Sequence, residues 1–120
     1  GFPVLLRKER GEWKSLQIKQ LTQQLERDYK LRDIDTRLSI AANDINNYKN
    51  LCSIQSQNLG NYEKLWQSEK KMFDLGESSL FMVNARESNY INASVKLNEL
   101  NNKRNKSLLE YTYISAAFAN

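Results

Sequence analysis

The residues able to do chemistry in this chain are few, and their spacing is poor for it. Histidine is absent, which removes the commonest general base and the commonest metal ligand. One cysteine, Cys52, is present. It can form neither an internal disulfide nor a thiolate zinc site, and as a nucleophile it would lack an imidazole partner. Asp33 with Asp35, and Glu63 with Glu69, are the carboxylate pairs close enough in sequence to consider for acid–base work. Neither pair comes with a pocket signature, and charge on a solvated helix face accounts for both. Tyr62, Trp66 and Tyr90 have the ring chemistry of a stacking platform for bases or sugars, yet their spacing fits core packing better. Gly76-Glu77-Ser78-Ser79 lacks the glycine spacing and the lysine of a phosphate-binding loop. No catalytic residue, cofactor site or metal site is therefore expected, and the chain is not read as an enzyme.

The charge pattern points the same way. The net charge is +4, from 18 basic and 14 acidic residues. The basic groups, Arg7-Lys8-Glu9-Arg10, Lys70-Lys71 and Lys103-Arg104-Asn105-Lys106, are dispersed among acidic residues. A nucleic-acid binder gathers its cations on one face, so a basic nucleic-acid-binding helix is a distant alternative.

What the chain does have is helix. Of its 120 residues only 4 are glycine and 1 is proline, too few for a fold rich in turns. The length allows one domain. Phe2 to Leu6, with Pro3, reads as the end of a strand, followed by a charged connector to Gly11. Its opening reads like the interior of a longer protein, and no signal peptide is visible. No apolar run is long enough for a transmembrane helix. Residues 12–75 then read as a long helix, 76–79 as a turn and 80–118 as a second helix.

Two apolar seams support this division. On the first helix Leu38, Ala41, Ile45, Tyr48, Cys52, Gln55, Leu59, Tyr62, Trp66, Glu69 and Phe73 follow steps of three and four. On the second, Val83, Arg86, Tyr90, Ala93, Leu97, Leu100, Arg104, Ser107, Tyr111, Ile114 and Phe118 do the same. That spacing holds one stripe toward a partner helix. Gly76 suits the left-handed residue that ends a helix, and Ser78 or Ser79 suits the cap of the next. Gly60 is a rival break, but it sits inside an unbroken heptad pattern without cap residues. Folding about residue 78 sets Phe73 opposite Val83, Trp66 opposite Tyr90, Leu59 opposite Leu97, Ile45 opposite Tyr111 and Leu38 opposite Phe118. The expected fold is all-α: a long antiparallel two-helix coiled-coil hairpin with a short extended segment at residues 1–11.

This hairpin leaves apolar residues over. Trp13, Leu16, Ile18, Leu21, Leu25, Tyr29, Leu31 and Ile34 have no partner helix, and Ile40, Leu51, Ile54, Leu65, Met72, Ile91, Leu108 and Leu109 lie off the seams. Association with other copies or other segments is expected.

The turn and its flanks resemble the TolC-like outer-membrane efflux family, in the second of its repeats. The stretch Glu69 to Glu87 carries the likeness. Phe73, Gly76, Ser79, Leu80, Val83, Asn84 and Arg86 stand where that family has an aromatic, a tip glycine, a small hydroxyl residue, an apolar triplet and Asn-Ala-Arg. Ala93, Leu97, Leu100, Tyr111, Ile114 and Ala117 fit its returning helix. Phe2 to Gly11 is similar to a barrel strand re-entering the periplasm, so the likeness covers nearly the whole chain. It implies a trimeric parent with a barrel in the outer membrane and a helical tunnel in the periplasm, conducting passively. It also implies a helix pair near the tip that moves outward to open the tunnel. Leu75, Gly76, Glu77, Ser78 and Ser79 would contact a periplasmic adaptor protein. Where the family's best-known member rings its tunnel entrance with two aspartates, this chain has Met82 and Ala85, so a carboxylate ring is not carried over. The alternative function is a structural coiled-coil adaptor or scaffold mediating protein–protein association.

Overall fold

A computed structural model describes residues 2–119, with side chains from residue 5 onward. Two helices account for nearly all of them: α1, Phe2–Asp74, and α2, Leu80–Ala119. No strand occurs among the described residues. The chain divides into two units, residues 1–38 and 39–120.

The expected extended segment at residues 1–11 is helix instead, from Phe2 onward; Gly1 lies outside the described residues. Local preference explains the difference. A proline in the first helical turn sacrifices no hydrogen bond, because the first N–H groups have no intrahelical acceptor. Arg7, Lys8, Glu9 and Arg10 are all good helix formers. A strand, by contrast, needs a neighbouring strand to satisfy its backbone.

Within residues 1–38 every residue from Leu5 to Asp33 is exposed. Leu, Lys, Arg, Gln and Glu dominate this stretch, so helix propensity is favourable over most of it, with Gly11 the exception. Acid precedes base by four residues at Glu26/Lys30 and Asp28/Arg32, the order that favours a helix. Trp13, Leu16, Ile18, Leu21, Leu25, Tyr29 and Leu31 stand in solvent, as the seam analysis anticipates; Ile34 is half-buried.

Residues 39–120 form the helical hairpin. All of its buried residues lie on the two predicted seams: Ala41, Cys52, Gln55 and Glu69 on α1, and Val83, Ala93, Ser107 and Ile114 on α2. Cys52 is thus a small buried seam residue. Off the seam, Ile40, Leu51, Ile54, Leu65, Met72, Ile91, Leu108 and Leu109 are all exposed. Gly60 stays inside α1, with open space around the position a Cβ would take.

The register is more subtle than a mirror about residue 78. Trp66 does stack on Tyr90, with ring centroids 5.4 Å apart. The Gln55 side-chain amide, however, donates to the Ala93 carbonyl at 3.0 Å, and the midpoint of those two residues is 74. A mirror about residue 78 would set Gln55 opposite residue 101, eight residues from Ala93 and more than two turns of helix away, so it does not describe this contact. Gln55 is buried and makes a polar layer in an otherwise apolar stretch. Polar residues at such positions specify register at a cost in stability. Gln55→Leu should therefore raise stability by up to about 1 kcal/mol, because the apolar replacement adds buried area and the Ala93 carbonyl lies inside α2, where helix bonding continues. An increased urea midpoint with an unchanged slope is the expected readout; a lower midpoint would show that the Gln55 bond contributes net stability.

Candidate functional site at the hairpin tip

The reversal is built from two helix ends. Asp74 is the last residue of α1, and Gly76 has φ of 77°. A side chain at that φ clashes with its own backbone, so glycine is the natural occupant. The Gly76 N–H donates to the Phe73 carbonyl at 3.0 Å, and the Glu77 N–H donates to the Met72 carbonyl at 2.8 Å. This crossed pair is a Schellman motif, which satisfies carbonyls that the helix end would leave bare.

α2 starts three residues later. The Ser79 hydroxyl accepts from the Met82 N–H at 3.2 Å, and the Ser79 carbonyl accepts from the Val83 N–H at 3.1 Å. Ser79 is therefore the cap residue of α2. Ser78, the other candidate, points elsewhere: its hydroxyl donates to Oε1 of Glu69 at 2.8 Å. Glu77 places negative charge at the positive end of the α2 dipole.

All five residues singled out from the sequence come together in this turn. Leu75, Gly76, Glu77 and Ser79 are exposed, and Ser78 is half-buried. Leu75 is 74% exposed. The turn also sits in an apolar collar that sequence reasoning did not count as part of the site. Phe81, at 79% exposure, is the most open of it, and Met72, Phe73, Leu80 and Met82 are exposed too. Leu80, Phe81 and Met82 were legible as an apolar triplet. Phe81 and Met82 fall off the Val83, Arg86 and Tyr90 seam, so its phase alone turns them away from α1.

Between two and three turns behind the tip is an aromatic layer. Lys70 Nζ lies 3.5 Å from the Trp66 ring centroid, and Trp66 in turn stacks on Tyr90. Trp66 Nε1 and Arg86 Nε are both buried without a hydrogen-bond partner. Trp66 and Tyr90 thus serve as packing, and no open stacking platform is formed by these two rings. Farther along, Gln55, Tyr62, Asn89, Asn92, Ala93 and Lys96 line an open polar groove of about 230 Å³.

The other residues with chemical potential are not assembled. Asp33 and Asp35 are both exposed on the lone helix, Glu63 is exposed, and Glu69 is buried beneath the tip. Arg7 to Arg10, Lys71, Lys103 and Lys106 are exposed, whereas Lys70 and Arg104 are half-buried. Among the described residues no cluster of three metal-ligating side chains occurs. No described helix is long and apolar enough to cross a membrane.

Compared with family models, curated proteins and solved structures, the chain matches none of them.

Proposed function

We propose that the chain is a periplasmic segment of a trimeric outer-membrane efflux or secretion channel, and that its tip contacts a periplasmic adaptor. Its role would be passive conduction, with energy supplied by partner proteins. The observation that carries the reading is the tip itself. A turn closed by the Gly76 motif and the Ser79 cap leaves Leu75 and Phe81 in solvent at the point of reversal. Large apolar side chains on a fixed backbone make good contacts for another helical tip, because little entropy is lost on binding. The glycine and two serines leave room for close backbone approach. The resemblance of residues 69–87 to the TolC-like family supplies the identity of the partner class. The uncovered stripe on residues 5–31 fits a helix that packs against other helices of a larger assembly.

That same bare stripe also favours the second reading, a scaffold coiled coil that only joins proteins. The coding sequence around this segment separates the two. A channel has an earlier repeat with its own tip and barrel strands, whereas an adaptor has lipoyl-like β segments.

The tip reading is tested by pull-down of the cognate adaptor with wild type, Gly76→Trp and Phe81→Asp. Phe81 is exposed, so Phe81→Asp should leave the helical signal unchanged while reducing adaptor affinity about tenfold or more, the scale of a hot-spot residue. Gly76→Trp should reduce it as well. Equal binding by all three proteins would refute the tip contact.

A further inference from the structure

Glu69 is out of place by the logic of its own seam. It occupies a core position, is only 8% exposed, and carries a carboxylate where an apolar side chain would pack. Burying a charged group is unfavourable unless hydrogen bonds replace the lost water. The replacement comes from the tip: the Ser78 hydroxyl donates to Glu69 Oε1 at 2.8 Å. Hydrogen bonds to an ionised acceptor are the stronger kind.

The position of Ser78 gives this bond its consequence. It is the one residue between Glu77, whose N–H closes the end of α1, and Ser79, whose hydroxyl opens α2. The bond spans nine residues and joins the seam of α1 to the middle of the turn. The Schellman motif ties the turn to the end of α1, and the Ser79 cap ties it to α2. Neither ties the turn sideways to the seam, and the Glu69–Ser78 bond does.

We infer that Glu69 is the positioning residue of the tip, anchoring Ser78 so that Leu75, Gly76 and Phe81 are presented in one arrangement. For the adaptor contact this inference rests on the function proposed above; the anchoring of the turn stands without it. The carboxylate lowers the packing quality of the seam, and its return is a turn whose geometry does not drift.

The test compares Glu69→Leu, Glu69→Gln and Ser78→Ala in the full chain, by amide hydrogen exchange of the turn and by urea unfolding. Glu69→Leu improves the seam, so helix unfolding should shift to equal or higher urea. The Gly76 and Glu77 amides should nonetheless exchange about fivefold faster or more, since the turn opens locally once untied. Ser78→Ala should quicken the same amides, and Glu69→Gln, which keeps an acceptor oxygen, should retain most of the protection. A residue that served only to hold the helices together would move both measurements in the same direction. Unchanged exchange in Glu69→Leu and Ser78→Ala overturns the inference. Adaptor pull-down with the same variants addresses the other reading. Faster exchange with a matching drop in binding supports both. Faster exchange with full binding supports the anchor and counts against the tip as the adaptor contact.

Discussion

Replacing Gly76 with valine should destabilise the hairpin by about 2 kcal/mol, the cost of forcing a β-branched residue into left-handed backbone. The φ of 77° is the whole cause. Nothing lies within 4 Å of the position a Cβ would take, so no neighbour needs to move. This separates backbone strain from crowding. Gly76→Asn should cost much less than Gly76→Val, because asparagine tolerates this region. Gly60→Ala is the internal control. Gly60 is helical and its surroundings are also open, so alanine there should stabilise by about 0.5–1 kcal/mol. Urea unfolding followed by circular dichroism reads all three. If Gly76→Val and Gly60→Ala shift the midpoint alike, the reversal does not depend on the glycine conformation.

Trp66→Ala should be the most damaging truncation on the seam, with a loss of about 2–3 kcal/mol. Tryptophan truncation in a full core costs about 3–5 kcal/mol, and Trp66 is only half-buried. Its indole N–H has no acceptor, so removing it orphans no partner and relieves one unmet donor. The loss comes from packing. Tyr90 stacks on the ring with an interplanar angle of 27°, and Lys70 sits over the ring. A double-mutant cycle with Tyr90→Ala should return a coupling of about 1 kcal/mol, in the range measured for aromatic pairs. Lys70→Ala should cost about 0.5–1 kcal/mol, the worth of a cation over a ring near the surface. Coupling near zero between positions 66 and 90 would mean that the layer contributes only area.

The aromatic layer and the glycine turn together account for where the chain reverses. Between them lies Glu69, which the sequence offers as a member of the seam and as half of a carboxylate pair with Glu63. A carboxylate at a seam position reads as a defect when only spacing is known. Its reason, a serine nine residues ahead, becomes visible once the turn carries Ser78 back over the helix end. Gln55 repeats the lesson on the other side of the layer. As a lone polar residue in the heptad it signals nothing, and its meaning depends on the Ala93 carbonyl across the interface.

The helical hairpin was determined by local and periodic information alone. The scarcity of glycine and proline, the three-and-four spacing of apolar residues, and a glycine followed by serines are all properties of a linear string. Each acts on its own stretch of backbone, so each can be read without knowing what lies opposite. The buried residues all fell on the seams, because the seam sets the phase of each helix, but not every seam residue is buried: Tyr62, Phe73, Tyr111 and Phe118 are exposed. The segment at residues 1–11 failed for the complementary reason. A strand is a property of two segments, whereas helix propensity and a first-turn proline act locally, and at residues 2–11 they favour helix. Only the tertiary structure decided the register between the seams, the division of labour between Ser78 and Ser79, and the outward display of Leu75. Those depend on distances between residues far apart in the chain, which periodicity alone does not fix.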